Sequence, residues 1–183
     1  MRHNYSTYYF TDNFDINLLN KLNKKISIIY RNYNNKQDFS KIKKLSQFCR
    51  KFKRKFFISN NLKLALKLKA DGVYLPAFNK NLYYKNKNLK KNFLFIGSAH
   101  TLSEIKVKEL QGCGQIFLSP LFKSYKGKKI LGLTKFKYLS ISTKKEIVAL
   151  GGINRKNLNK LNLLNVFGFA GISGIKKTGW DII

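Results

Sequence analysis

The sequence predicts a (β/α)8 TIM barrel formed as one compact domain over residues 1–183, and three observations carry that expectation. Eight short apolar runs rich in Ile, Val, Phe and Tyr recur along the chain. They are continuous rather than alternating, the pattern of parallel strands buried on both faces. Most are followed by a Lys/Leu segment of helical period, and this repetition implies right-handed βαβ units within a single domain. A doubly wound open sheet is the second architecture that the same pattern allows.

Taken in order, strands are expected at Tyr8–Thr11, Ser27–Arg31, Phe56–Ser59, Gly72–Leu75, Phe93–Gly97, Gln115–Leu118, Glu146–Leu150 and Gly168–Ile172. Helices are expected at Ile16–Lys25, Phe39–Phe52, Leu62–Lys69, Leu102–Leu110 and Leu158–Leu164. The Asn/Lys-rich stretch Pro76–Asn92 carries only a weak helical pattern. Ser119–Gly132 holds Pro120, Gly127 and Gly132 and reads as a long loop, a feature that is usually functional inside a compact domain. After the eighth run only Ile175–Ile183 remains, so the last helix is truncated. One flank is then thinly covered or is covered by a partner chain, which is the opening for a homodimer.

The charge is extreme: 37 Lys and Arg against 8 Asp and Glu, a net +29. Such a balance raises nucleic acid as a partner, through counterion release. Only five of the basic residues are arginine, however, whereas base-edge and bidentate phosphate recognition favours the Arg fork. The lysines come with 20 Asn and many Ile, Phe and Tyr, all served by A/T-rich codons, so base composition accounts for them without a specific nucleic-acid ligand. The densest cluster, Lys41, Lys43, Lys44, Arg50, Lys51, Lys53, Arg54 and Lys55, has the spacing of a solvated helix face. No apolar run approaches the roughly 20 residues that span a bilayer. Two cysteines, Cys49 and Cys113, make no disulfide framework, and Met1–Phe10 lacks the apolar segment of a secretory signal, so a cytoplasmic setting is expected.

In a barrel the chemistry lies where the strands run out at their C-terminal ends. There stand Asp12, Arg31, Ser59 with Asn60, Pro76, Ser98 with His100, Ser119, Gly151 with Gly152, and Ser173 with Gly174. Gly151 and Gly152 allow exposed backbone N–H groups to approach an anion, and Gly168, Gly171 and Gly174 end the last strand. Barrels frequently hold phosphate on the loops after strands seven and eight, where both clusters sit. The competing account is that these glycines only make tight turns. His100 is the general acid/base candidate, against a purely structural histidine. Arg31 suits an anion clamp, against an ion pair at the mouth.

At these residues the chain resembles the thiamin phosphate synthase and TenI superfamily. Tyr8-Tyr9-Phe10-Thr11-Asp12 is similar to its opening strand, Ile29-Tyr30-Arg31 to its arginine-bearing second strand, and Ala70-Asp71-Gly72-Val73-Tyr74-Leu75 to its Ala-Asp-Gly-Val-His-Leu segment. Gly97-Ser98-Ala99-His100 matches a Gly-x-Ser-x-His type of turn. Ser119-Pro120-Leu121-Phe122 resembles Gly-Pro-Val-Phe, Gly151-Gly152-Ile153 is identical to the Gly-Gly-Ile turn, and the segment from Gly168 to Ile175 resembles Gly-Val-Ala-Val-Ile-Ser-Ala-Ile. The resemblance implies a barrel enzyme of thiamin biosynthesis that takes a small phosphorylated thiazole. On it, Gly151, Gly152, Gly171 and Ser173 hold the phosphate, and Arg31, Ser98, Ser124 and Lys126 contribute to substrate binding. His100 then moves the proton.

The departures decide the expected reaction. Synthases of the family place two aspartates, after strands three and four, on the Mg²⁺ of a pyrimidine diphosphate. Here the positions hold Asn60 and Asn79. Two neutral amides lose most of the attraction for the metal. Lys126, Lys128 or Lys129 stand where a lost loop cation would be replaced, and Leu75-Pro76 is like the Leu-Pro of TenI-type tautomerases. The expectation is therefore a TenI-like, metal-independent isomerase with no cofactor. The alternatives are a synthase using Mg²⁺ and a non-catalytic ligand-binding barrel.

Overall fold

Eight parallel strands pair in chain order and close on themselves: β1 (Ser6–Thr11), β2 (Ser27–Tyr30), β3 (Phe56–Ser59), β4 (Gly72–Leu75), β5 (Leu94–Ala99), β6 (Gln115–Leu118), β7 (Glu146–Leu150) and β8 (Gly168–Gly171). The closing pair sets Tyr8 of β1 opposite Ala170 of β8. The computed structural model describes residues 5–33, 38–86, 89–123 and 130–178. Around the barrel run α1 (Ile16–Lys21), α2 (Phe39–Lys51), α3 (Leu62–Lys67), α4 (Leu102–Leu110), α5 (Gly132–Ile141) and the short α6 (Ser173–Thr178). No helix among the described residues is long and apolar enough to cross a membrane.

Local chemistry starts the first four helices. Asp15, Asp38, Asn61 and Thr101 each accept the N–H of the residue three positions on, which satisfies one of the orphan donors of a helix N-terminus. No helix is expected from the sequence between the Ser119–Gly132 loop and β7, yet that loop ends where α5 begins. Its first residue follows Leu131, which makes no side-chain cap, and Tyr138 and Ile141 are exposed, so both the start signal and the period are blurred. Leu158–Leu163 forms a 3-10 turn instead of the expected α-helix, and Leu82–Asn86 a second after β4. Asn157 explains the first departure: its amide bonds Gly152 O at 2.9 Å and accepts the Asn154 N–H at 2.8 Å, a local turn that competes with helix.

Alternation along the strands separates two packing layers. In β2, Ile29 joins the barrel interior while Ile28 and Tyr30 pack toward the helices. The interior is filled by Tyr8, Phe10, Phe57, Tyr74 and Phe117, with ring centroids 5.0 Å apart for Tyr8 and Phe117 and 5.2 Å for Phe10 and Tyr74. Each edge-to-face pair is worth roughly 0.5–1.5 kcal/mol beyond its buried area. The barrel is thus a packed core rather than a pore, and a ligand can be received only at its ends.

Arg54 corrects the expectation of a solvated basic face. α2 ends at Lys51, and Arg54 is 5% exposed. Its guanidinium donates to Asn23 O, Ile26 O, Leu19 O and Leu22 O, gathering the carbonyls at and beyond the end of α1. Arg54→Met is expected to lower unfolding stability by about 2–5 kcal/mol, because buried carbonyls lose charged donors. Urea unfolding measures this, and a change below about 0.5 kcal/mol would show that Arg54 carries no such burden.

Candidate active site

The strand alternation that places Ile29 inside also aims the next inward position, Arg31, at the C-terminal mouth. Its Cζ lies 4.5 Å above the Phe10 ring and 6.0 Å from the Tyr33 ring. Its side chain also bonds the Tyr74 hydroxyl. Among the described residues it pairs with no carboxylate. A cation held by aromatic faces and a phenol keeps its charge available to an anion, which favours the clamp over the ion pair.

Tyr74 is buried, and burial raises its pKa, so the phenol stays protonated. It also shares a hydrogen bond with Ser98, which is 4% exposed and so uses its hydroxyl inside the protein. Beside Arg31, Tyr33 shares a 3.0 Å hydrogen bond with Ser59 Oγ and packs edge-on to Phe78 at 5.5 Å. Burial raises the Tyr33 pKa against the lowering influence of Ser59 and Arg31.

His100 follows β5, and its Nδ1 lies 2.6 Å from Ser119 O and 3.2 Å from Ser119 Oγ. A carbonyl can only accept, so Nδ1 carries the proton and neutral His100 presents Nε2 as an acceptor. That is the tautomer a general base requires. Below the ring, Glu104 accepts the His100 backbone N–H at 2.6 Å, and Thr101 Oγ1 accepts that of Glu104 at 3.3 Å, a variant of the capping box.

Gly151 and Gly152 adopt φ of 97° and 68°. A Cβ on Gly151 would lie 2.7 Å from Pro120 Cα, and one on Gly152 would meet the backbone of Phe122 and Lys123. Close approach of the β6 loop therefore demands both glycines. A Cβ on Gly174 would lie 2.5 Å from Ile153 O, so the turn after β7 and the start of α6, with Ser173, adjoin. Gly171 meets only ordinary contact with Ile175 at 3.4 Å. Packing thus accounts for three of these glycines, while their turns still stand together at the mouth after β7 and β8. Ser124, Lys126, Lys128 and Lys129 lie outside the described residues.

Asn60, left-handed at φ 57°, and Asn79 meet directly: Asn79 Nδ2 donates to Asn60 Oδ1 at 2.6 Å. The Asn60 oxygen that would face a metal is turned to a neighbouring amide. No group of three His, Cys, Asp or Glu side chains converges as a metal-ligand set among the described residues. The residues as they stand do not fit Mg²⁺, a hard cation that prefers carboxylate oxygens.

Two residues behind this pair escaped the sequence reading. Lys108 and Gln111, both 0% exposed, reach from α4 and the residue after it to the loop following β4. Burial lowers the Lys108 pKa to about 8, opposed by Cys113 and Glu104. The signal was available: Lys108 and Gln111 continue the buried stripe of Ile105 at intervals of three. A cavity of about 230 Å³, lined by Arg50, Lys53, Lys55, Lys69 and Asp71 among others, lies instead where β3 and β4 begin. That end of a barrel reads as stability rather than catalysis.

The chain is a closed parallel barrel with its candidate site residues at the C-terminal mouth, the end where barrel enzymes place their chemistry. The chain belongs to the thiamine monophosphate synthase family, whose model matches residues 16–175. It is 35% identical over 133 residues to a thiamine-phosphate synthase of Helicobacter pylori, covering 68% of this chain and 60% of that protein. A thiamine-phosphate synthase of Prochlorococcus marinus is 30% identical over 126 residues, covering 68% of this chain and 36% of that protein. The chain thus spans less than two thirds of the length of either relative. Among solved structures, the thiamine phosphate pyrophosphorylase of Pyrococcus furiosus superposes with a TM-score of 0.73 over 97% of this chain and 93% of the other. At 23% identity that likeness speaks for the fold alone.

Proposed function

We propose that the mouth takes two phosphorylated thiamine precursors and joins them, releasing diphosphate from a pyrimidine diphosphate as it is linked to a thiazole phosphate. The observation that carries this reading is the pair of separate places at the mouth whose chemistry suits an anion. Arg31, with no carboxylate partner among the described residues, stands on the β2 side, and the adjoining glycine turns stand after β7 and β8. The names of the relatives support the joining reaction over the isomerisation expected from the sequence. Arg31 holds the diphosphate, the turns at Gly152 and Ser173 hold the thiazole phosphate, and His100 Nε2 faces the ring between them.

A second reading, isomerisation of a thiazole phosphate with His100 as the base, is favoured by one observation. The Asn60–Asn79 pair is a poor seat for the metal that the family's synthases use. Product analysis separates the two. The protein is incubated with both precursors, and with the thiazole phosphate alone, each with Mg²⁺ and with chelator. Thiamine phosphate from the mixture supports the first reading. An isomerised thiazole without metal supports the second, and no product from either overturns both.

A further inference from the structure

The orientation of the Asn60 amide is determined by its neighbours. Asn81 N–H lies 2.9 Å from Asn79 Oδ1, and because a backbone N–H only donates, that atom of Asn79 must be oxygen. Gln111 Nε2, at 3.3 Å, adds a second, weaker approach to the same oxygen. The Asn79 nitrogen therefore faces the other way, donating to Asn60 Oδ1 at 2.6 Å and to Tyr84 Oη at 3.2 Å. Asn60 must present oxygen to Asn79, which leaves its Nδ2 as a donor with no acceptor among the described residues.

The loop that sets this relay is itself held from behind. Lys108 Nζ donates to Pro76 O, Asn79 O and Gln111 Oε1, each at 2.8 Å, spending all three of its protons. Gln111 Nε2 donates to Asn79 O at 3.0 Å and Asn81 O at 2.9 Å. Gly97 makes the room: a Cβ there would lie 2.7 Å from Lys108 Cδ. Burying an ammonium without a carboxylate is costly, and here two backbone carbonyls and the Gln111 amide oxygen compensate it. The arrangement serves to fix this one loop.

We propose that Asn60 Nδ2 donates directly to a phosphate or diphosphate group at the mouth, with Lys108, Gln111 and Asn79 as positioning residues that hold it in that orientation. The two positions that resemble metal ligands thus act as an acceptor-to-donor converter: the anion meets a hydrogen bond where it would have met a cation. Asn60 adjoins Ser59, which is bonded to Tyr33 beside Arg31, so the donor and the guanidinium belong to one contiguous edge. The inference rests on the reading of this mouth as a site for phosphorylated ligands.

The test is calorimetric titration with inorganic pyrophosphate in chelator, followed by side-chain amide NMR. The wild-type protein is expected to bind without divalent metal, with the Asn60 NH₂ signals moving on saturation. Asn60→Asp, at an exposed position whose left-handed backbone aspartate tolerates, is expected to weaken binding about 10- to 100-fold. In Asn79→Asp no donor faces residue 60, so the Asn60 amide turns over and its NH₂ signals no longer respond to pyrophosphate. Wild-type binding that requires Mg²⁺, or Asn60→Asp binding within twofold of wild type, would overturn the proposal. Pyrophosphate binding needs no turnover, so a protein that binds it through Asn60 yet makes no thiamine phosphate would overturn only the joining reaction.

Discussion

Arg31→Met is expected to weaken binding of a pyrimidine diphosphate by about 2–4 kcal/mol, roughly 30- to 1000-fold, because a diphosphate at the mouth loses a charged, forked donor. The folded state should be only modestly affected. Its guanidinium lies 4.5 Å over the buried Phe10 ring, and a partly desolvated contact of that kind contributes about 1–2 kcal/mol. Arg31→Lys keeps the charge and loses the planar fork, so an intermediate affinity is expected. Titration of the three proteins with the diphosphate measures the effect. Equal affinities would place the anion elsewhere and leave Arg31 as a stacking residue.

His100→Ala separates the two reactions by magnitude. Isomerisation moves a proton, and removing a positioned base is expected to cost about 10²- to 10⁴-fold in turnover. Linking a thiazole nitrogen to the pyrimidine uses a lone pair and no proton, so the same variant is expected to lose only about fivefold there, the worth of one neutral hydrogen bond near 1 kcal/mol. Thiazole phosphate binding should change little, since on this reading the glycine turns after β7 and β8, and not His100, hold the phosphate. Single-turnover rates with each substrate set decide the matter, and unchanged rates in both would remove His100 from the chemistry.

These residues were legible in the sequence because a strand has a fixed period. Once Ile29, Phe57 and Ile96 are read as inward positions, Arg31, Ser59, Ser98 and His100 follow as the next inward positions at the mouth. The eight strands were legible for the same reason: continuous apolar runs mark strands buried on both faces, and β3, β4, β6 and β7 fall where the runs place them. The failures also have local causes. α5 has no capping side chain to announce it, and Asn157 diverts Leu158–Leu163 into a 3-10 turn.

What no local pattern contained was the choice of partners. Asn60 and Asn79 read as two lost metal ligands, each assessed alone; the pairing of β3 with β4 brings Asn79 Nδ2 to 2.6 Å from Asn60 Oδ1 and turns one into a donor. Lys108 looked like one more of 32 lysines, yet among the described lysines it alone lies fully inside, on carbonyls roughly 30 residues away in the chain. Arg54 looked solvated and is a buried cap for α1. Period and composition act over a few residues, so the chain itself specifies strands, strand ends and an excess of charge. Which of those charges is buried, and which amide faces its neighbour with oxygen, depends on contacts between segments 19 to 35 residues apart, and only the packing of neighbouring strand–helix units brings those segments together.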